Sequence, residues 1–241
     1  MWTLADEDAA RNFIAAAFKT SPGDVRAGFR DEKRTWNQLL MWESKWQDGP
    51  SDIPAECRTA VCIYLLERPN ICKEFNGSCR AATVTGSTDG WVMFPFKCYW
   101  WLLTEALMYL PQELTESGTL YRGMHYMSVA GMLSKTEIMF GQFMSASTSY
   151  DVARKFSWKS GIILKMRGVP CSVYRRVSQY AAKAHNEVLI MPFCEFQVEG
   201  QVYLTDRPTV LLEYKRCLLE ERASEIRNRL SHGRFSQCFK P

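Results

Sequence analysis

The stretch Ala184–Val198 reads AHNEVLIMPFCEFQV, and its pattern recurs through the second half of the chain. Pro192 divides it into two short apolar segments whose length and residue types predict two strands joined by a turn. A lone carboxylate, Glu187, opens the first segment, and His185 lies two residues before it on the same side of an extended chain. A carboxylate at the start of a buried strand is either a solvated side chain at the strand end or part of a functional site.

Strand patterns of this kind occupy residues 118–216, whereas residues 1–117 are mainly helical. The predicted strands are Thr119–Tyr121, Met139–Met144, Gly161–Met166, Val188–Met191, Cys194–Val198 and Thr209–Tyr214, with one short helix at Asp151–Phe156. The predicted helices begin at Thr3, near Trp36, at Pro54 and at Pro95, and they end near Ser21, Gly49, Pro69 and Leu110. Residues 217–241 are a basic tail in which a last helix can form. Helices followed by strands predict an α+β fold in a single domain of residues 1–241.

Composition excludes several classes of protein. The 241 residues are 46% hydrophobic and 23% charged, which provides enough apolar material for one large core. The net charge of +4 is too small to indicate nucleic-acid binding, and no apolar run reaches the ~18 residues of a membrane span. The N-terminal residues are acidic where a signal peptide is basic and then apolar, so the chain as written is expected to be cytoplasmic. A secreted chain trimmed of its leader would have the same sequence.

The nine cysteines leave their oxidation state open. Their spacing contains no C-x-x-C pair, so a zinc site is not expected. Cys57 with Cys62, or Cys72 with Cys79, could pair in an oxidising compartment. Scattered buried thiols in a cytosolic protein explain the same sequence equally well.

Three polar positions in the strand-rich half each follow or open an apolar segment. Arg122 ends the first predicted strand beside Gly123, and an arginine fork next to a glycine suits a phosphate or carboxylate ligand. Ser145 emerges from the second strand, and Glu187 opens a later one. Each residue alone also fits a structural role: a surface ion pair, a turn serine and a solvated strand-end glutamate.

Together and in this order, the three positions resemble the arginine-serine-glutamate clade of ADP-ribosyltransferases, which includes cholera-toxin-like toxins and the vertebrate ecto-mono-ADP-ribosyltransferases. The similarity covers roughly residues 55–215. The matching residues are Leu120-Tyr121-Arg122-Gly123, Gly141-Gln142-Phe143-Met144-Ser145-Ala146-Ser147 and Glu187-Val188-Leu189-Ile190, with Phe75-Asn76, Arg80, Phe96-Lys97 and Leu103-Thr104-Glu105-Ala106-Leu107 similar to the animal branch.

The resemblance implies a split fold in which two antiparallel sheets surround a cleft for NAD+, with no metal required. Glu187 would stabilise the charge on the ribose as the bond to nicotinamide breaks. Ser145 would orient Glu187, Arg122 would position NAD+, and Gly123 would offer backbone contacts to the nicotinamide amide. The aromatic ring that packs on the nicotinamide would be Phe156 or Trp158. The implied reaction is mono-ADP-ribosylation of a target protein, most of all on arginine.

His185 departs from the family pattern, because arginine-specific members carry Glu or Gln two residues before the catalytic glutamate. A neutral imidazole accepts a hydrogen bond or a proton, but it offers the acceptor guanidinium no negative charge. Three interpretations remain: an altered acceptor base, a substitution in an enzyme that mainly hydrolyses NAD+, and a loop residue with no role. The loop at residues 174–180, with its two arginines, is expected to form the target surface and to meet an acidic partner or the phosphates of NAD+.

Two other functions compete with protein transfer. An NAD+ glycohydrolase would use the same Arg122, Ser145 and Glu187 with water as the acceptor. A catalytically inactive binding module would explain the loss of Glu or Gln at position 185, but it has no need for all three cleft residues.

Overall fold

The computed structural model describes residues 4–20, 53–66, 71–84, 89–112, 118–124, 132–157, 159, 161–180, 186–204 and 207–232. The helices are α1 (Glu7–Lys19), α2 (Ala55–Leu65), α3 (Ile71–Ala82), α4 (Lys97–Tyr109), α5 (Tyr150–Phe156) and α6 (Ala223–His232). The strands are β1 (Gly118–Met124), β2 (Glu137–Phe140), β3 (Met144–Ser147), β4 (Ile162–Val169), β5 (Tyr174–Arg176), β6 (Glu187–Ile190), β7 (Cys194–Leu204) and β8 (Arg207–Cys217). The predicted α+β class is confirmed.

The helical half matches most of the sequence prediction, with corrected boundaries. Helix α1 begins at Glu7 and not at Thr3, because the side chain of Asp6 accepts a hydrogen bond from the amide of Ala9 at 3.1 Å and caps the first turn. The predicted helix from Pro54 to Pro69 is confirmed as α2 but ends at Leu65. The helix predicted near Trp36 lies outside the described residues.

Helix α4 is the centre of the core. Ten of its thirteen residues are buried, so the apolar run KCYWWLLTEALMY is a core helix packed on almost every side. The rings of Phe13 on α1 and of Trp91 lie 5.7 Å from the ring of Trp100, measured between centroids. Phe75 on α3 stacks on Phe143 with centroids 5.8 Å apart. Because Phe143 precedes β3, this aromatic cluster fixes the start of that strand against the helices.

The eight strands form one hydrogen-bonded order, β2-β7-β8-β4-β1-β3-β6-β5. The pairs are antiparallel except β4 with β8, which are parallel. Strands β1 and β3 share a single residue pair, Tyr121 with Ser147. The expected split therefore appears as two groups of strands, β2-β7-β8-β4-β1 and β3-β6-β5, which this single residue pair joins.

One predicted strand is divided in the structure. The single strand predicted at Met139–Met144 is two strands, β2 and β3, because the chain turns at residues 141–143. A side chain at Gly141 would place its Cβ 2.2 Å from the hydroxyl oxygen of Thr83. Glycine at this turn therefore lets the chain cross closely over the end of α3.

The expected target-binding loop at residues 174–180 is also different. Its first three residues form β5 at the sheet edge, and its last three form a short 3-10 helix, Ser178–Tyr180. The side chain of Arg175 is 3% exposed and donates hydrogen bonds to the carbonyls of Leu110 at 3.0 Å and Cys171 at 2.8 Å. Arg175 therefore binds backbone carbonyls and is not available to a partner or to phosphates.

The helices also exclude both disulfides that the spacing suggested. Cys57 and Cys62 lie five residues apart in α2, and Cys72 and Cys79 lie seven apart in α3. At about 1.5 Å of rise per residue, the pairs are displaced by about 7.5 and 10.5 Å along their helix axes. Disulfides require Cα atoms within about 7 Å, so neither pair can form in these helices.

Within the described part of the chain, no helix has the length and apolar character needed to cross a membrane. The same residues hold no group of three or more histidine, cysteine or acidic side chains placed to bind a metal ion.

Candidate active site

Strands β1, β3 and β6 bring the three predicted residues to one region of the sheet, where β1 pairs with β3. Strand β3 pairs with β6 so that Ser147 lies directly opposite Glu187 and Ser145 lies opposite Leu189. Residues opposite each other in an antiparallel pair share a face of the sheet, so Ser145, Ser147 and Glu187 are on the same face. Glu187 and Ser145 are half-buried, as expected for residues that line a cleft.

Arg122 reaches this region from β1. Its Nη1 donates a hydrogen bond to the carbonyl oxygen of Ser145 on β3, beside the single residue pair that joins β1 and β3. The arginine therefore holds the backbone of the serine strand as well as presenting a cation at its edge. A substitution of Arg122 is expected to disturb both functions.

Ser145 and Ser147 differ in their surroundings. Ser147 is 3% exposed, and its hydroxyl accepts a hydrogen bond from the amide of Ser149 at 3.1 Å, which stabilises the turn before α5. Ser145 is more exposed and lies two residues further from that turn. Ser145 therefore remains the serine predicted to act on the ligand, and Ser147 is the structural serine of the pair.

Helices α2 and α3 supply side chains beside the candidate site that the sequence did not indicate as functional. We call this surface the wall of the site, and its residues are Tyr64, Cys72, Asn76 and Arg80. The hydroxyl of Tyr64 donates to the carbonyl of Phe143 at 2.9 Å and accepts from Nδ2 of Asn76 at 2.9 Å. The same Nδ2 lies 3.2 Å from the sulfur of Cys72. Tyr64 thus connects the helices to the residue two positions before Ser145.

Asn76 and Arg80 share one stripe of α3 with Cys72, since the three are spaced by four residues. Burial lowers the pKa of Arg80, and the charge of nearby Arg122 lowers it further. Burial also raises the pKa of the Cys72 thiol, with Arg122 and Glu187 within electrostatic range. These interactions place the α3 stripe beside the predicted catalytic residues. The polar i, i+4, i+8 spacing in an otherwise mixed helix is the sequence signal that could have identified it.

Two features of this region suit a large polar anionic ligand. Asn76 is only 5% exposed, and its Oδ1 has no hydrogen-bond partner among the residues that the structure describes. A buried acceptor without a donor is unfavourable. Two guanidinium groups, those of Arg80 and Arg122, lie close enough for their charges to interact. An anion between them relieves their repulsion, and a sugar hydroxyl can donate to Asn76.

Gly123 has a packing role that the sequence did not reveal. A Cβ at Gly123 would lie 2.0 Å from the carbonyl oxygen of Ala153 and 2.9 Å from the carbonyl carbon of Phe156. The backbone of α5 therefore occupies the space where a side chain would be. The predicted backbone contact of Gly123 to nicotinamide remains a prediction.

The remaining predicted residues have different outcomes. Phe156 lies at the end of α5 beside Gly123, and it is 55% exposed, so its ring is accessible to a ligand. Its contact with nicotinamide remains a prediction. Trp158, the alternative, and His185 lie outside the described residues.

The fold and this arrangement of arginine, serine and glutamate define the class of ADP-ribosyltransferase folds. A mutant of the eukaryotic mono-ADP-ribosyltransferase ART2.2, solved in complex with NAD, has the same fold with a TM-score of 0.52, covering 87% of this chain and 86% of that chain at 21% identity. The Vis toxin, an ADP-ribosyltransferase from Vibrio splendidus, has a TM-score of 0.51 at 19% identity, covering 83% of this chain and 90% of the toxin.

Sequence comparison is more specific. The model of the family described as NAD:arginine ADP-ribosyltransferase matches residues 20–216, and the chain belongs to this family. The NAD(P)(+)--arginine ADP-ribosyltransferase 2 of Gallus gallus is 32% identical over 179 residues, which cover 69% of this chain. The aligned part is 54% of that protein, so the chain spans about half the length of this curated relative. The family predicted from the sequence is confirmed.

Proposed function

We propose that this chain is a mono-ADP-ribosyltransferase that transfers ADP-ribose from NAD+ to a side chain of a target protein, arginine foremost, and releases nicotinamide. The observation that carries the proposal is the shared face of Ser145 and Glu187 on β3 and β6, with Arg122 bound to the carbonyl of Ser145. Family membership supports the reaction class.

NAD+ carries the chemical groups that suit both the wall residues and the strand residues of the candidate site. Arg80 and Arg122 suit its pyrophosphate, and the buried Oδ1 of Asn76 suits a ribose hydroxyl. The bond between nicotinamide and ribose breaks with its electron pair leaving on nicotinamide, and positive charge develops on the ribose. Glu187 stabilises that charge because a fixed carboxylate acts where the charge appears. The acceptor nitrogen then bonds to the ribose carbon and loses one proton.

His185 decides how well arginine competes as the acceptor. A guanidinium stays protonated at neutral pH because its pKa is above about 12. A carboxylate beside it supplies counter-charge and a hydrogen-bond acceptor, whereas neutral imidazole supplies only the acceptor. This substitution favours a second candidate, an NAD+ glycohydrolase in which water attacks the same ribose carbon.

The test is incubation of the purified chain with labelled NAD+, alone and with polyarginine, with nicotinamide and protein-bound label measured separately. We expect nicotinamide release from the wild type and a loss of at least about 100-fold in Glu187→Gln. Glu199→Gln is the matched control, because Glu199 is an exposed glutamate on β7. It should leave the rate unchanged.

Each result has a defined meaning. Label on polyarginine that depends on Glu187 supports the transferase, and release without transfer supports the glycohydrolase. A Glu187→Gln variant with the wild-type rate contradicts the assigned role of Glu187. If the wild type and both variants bind NAD+ but release no nicotinamide, the inactive module is the better description.

A further inference from the structure

Two cysteines face each other at the open end of the hairpin formed by β7 and β8. Cys194, the first residue of β7, is the register partner of Cys217, the last residue of β8. The amide of Leu218 donates to the carbonyl of Phe193 at 3.1 Å, so the hydrogen bond lies beside the cysteine pair and not within it. This pattern marks a non-hydrogen-bonded position of the antiparallel ladder, where opposite Cα atoms lie about 4.5 Å apart and side chains are closest.

The sulfur atoms of this cysteine pair point toward the same short segment. Sγ of Cys194 lies 3.3 Å from the carbonyl oxygen of Met191, and Sγ of Cys217 lies 3.3 Å from that of Pro192. The Cys217 thiol is also close enough to raise the pKa of the Cys194 thiol. Disulfides have Cα atoms between about 4.4 and 6.8 Å apart, and a non-hydrogen-bonded pair meets this requirement without movement of the backbone.

We propose that Cys194 and Cys217 form a cross-strand disulfide when the chain folds in an oxidising compartment, and that they stay a dithiol when it folds in a reducing one. The oxidant is a disulfide, either of a small thiol compound or of a thiol-disulfide oxidoreductase. One cysteine thiolate attacks that disulfide and forms a mixed disulfide, and the second displaces the remaining thiol. The cysteine pair loses two electrons and two protons, and the oxidant leaves as two thiols.

Burial fixes whichever state forms during folding. Cys194 is 0% exposed and Cys217 is 1% exposed, so neither a reductant nor an oxidant reaches them in the folded chain. Burial also raises the pKa of the Cys194 thiol well above its ordinary value, so little thiolate is present to react. The oxidation state of this pair therefore records the compartment in which the chain folded, which the sequence left open.

The experiment folds the full chain from denaturant in excess dithiothreitol or in a mixture of oxidised and reduced glutathione. Free thiols are then alkylated in denaturant, and the peptides are mapped by mass spectrometry. We expect Cys194 and Cys217 to be linked in the oxidatively folded chain and alkylated in the other. The linked form should unfold about 5–10 °C higher, because the bond closes a loop of about 24 residues.

A second arm tests the role of burial. Chain that has folded in dithiothreitol and is then moved to oxidised glutathione should keep both thiols free for hours. Cys194→Ser should lose the difference in Tm between the two folding conditions, whereas Cys98→Ser, a matched buried cysteine on α4, should keep it.

Peptide mapping of the wild type decides the matter even if a serine variant fails to fold. Natively folded chain from the glutathione mixture with Cys194 and Cys217 both free, or bonded to other cysteines, would overturn the proposal. Rapid oxidation of the folded dithiol form would overturn the claim that folding sets the state. Neither result depends on the proposed enzymatic activity.

Discussion

At the level of single residues, the register of β3 and β6 explains why a carboxylate opens an apolar strand. Glu187 shares its face with Ser145 and Ser147, whereas Val188 and Ile190 point to the opposite face and are fully buried. The strand thus contributes both to the core and to the site because its side chains alternate. A solvated strand-end glutamate would not need serines on the facing strand.

The acceptor preference at position 185 can be tested by restoring the family carboxylate. We expect His185→Glu to increase transfer to arginine acceptors about tenfold or more, because a carboxylate supplies the counter-charge that imidazole lacks. Nicotinamide release in the absence of an acceptor should change little, since His185 is not assigned to bond cleavage. The measurement is protein-bound label on polyarginine at saturating NAD+.

His185→Ala serves as the control for this substitution. It removes the imidazole without adding charge, so it should not gain arginine transfer. If His185→Glu leaves the ratio of transfer to hydrolysis unchanged, position 185 does not set the choice of acceptor.

At the level of elements, helices α2 and α3 determine where the serine strand starts. The hydroxyl of Tyr64 binds the carbonyl of Phe143, and the ring of Phe75 stacks on the ring of the same residue. These contacts join segments that are far apart in the chain. The helical half therefore fixes the position of the strand that carries Ser145.

Tyr64→Phe tests this connection. Loss of the hydroxyl leaves the carbonyl of Phe143 and Nδ2 of Asn76 without this partner, which should cost about 1–3 kcal/mol of stability. Because Phe143 leads into Ser145, kcat/KM for NAD+ cleavage should also fall. The measurements are urea denaturation and nicotinamide release.

Tyr99→Phe is the matched control, because the hydroxyl of Tyr99 binds the carbonyl of Ala60 at 2.9 Å within the helical core. It should lose similar stability with little change in kcat/KM of the folded protein. Equal kinetic effects from both variants would mean that Tyr64 acts only through stability.

The contact of α5 with β1 depends on a glycine. Gly123→Ala places a Cβ against the backbone of α5, 2.0 Å from the carbonyl oxygen of Ala153, and backbone cannot yield as a flexible side chain can. We expect destabilisation of about 2–3 kcal/mol from the forced separation of the two elements. The free energy of unfolding in urea is the measurement.

Gly77→Ala is the comparison for Gly123→Ala. Gly77 lies inside α3, and a Cβ there would make only an ordinary contact at 3.8 Å to the Arg80 side chain. Alanine favours helix over glycine by up to about 1 kcal/mol, so this variant should be neutral or more stable. A Gly123→Ala protein as stable as Gly77→Ala would show that α5 can shift without cost.

At the level of the whole molecule, Arg175 links the two halves of the chain. Its guanidinium donates to the carbonyl of Leu110, the residue that caps the C-terminal end of α4, and to the carbonyls of Cys171, Ser172 and Tyr174. The end of a helix carries partial negative charge, so a buried cation is favourable there. Burial lowers the pKa of Arg175, but an arginine remains charged at neutral pH.

Arg175→Met should therefore destabilise the whole fold. The substitution keeps much of the side-chain volume but leaves several carbonyls without donors, which should cost about 2–4 kcal/mol. Arg167→Met, which removes an exposed strand arginine paired with Glu213 at 3.0 Å, should cost no more than about 1 kcal/mol. Guanidinium denaturation monitored by tryptophan fluorescence measures both, and a small effect of Arg175→Met would contradict its role as a link.

The sequence by itself determined the fold class, the family and the elements whose patterns are local. Helix α4 was predicted within two residues at each end, and the strand that Glu187 opens was predicted within one. These elements could be predicted because the spacing of apolar residues and the positions of prolines are visible in short stretches of sequence. Arg122, Ser145 and Glu187 could be predicted as site residues because their motifs are short and contiguous.

Only the tertiary structure decided which residues lie beside the candidate site and how the two halves of the chain are joined. Tyr64 and Phe143 are 79 residues apart, and Arg175 and Leu110 are 65 apart, so no local pattern connects them. The arginine at position 175 looked like a surface residue because charge usually indicates exposure, yet backbone carbonyls from two elements satisfy it in the core. Contacts of this kind depend on sheet register and helix packing, which are set by the folding of the whole chain.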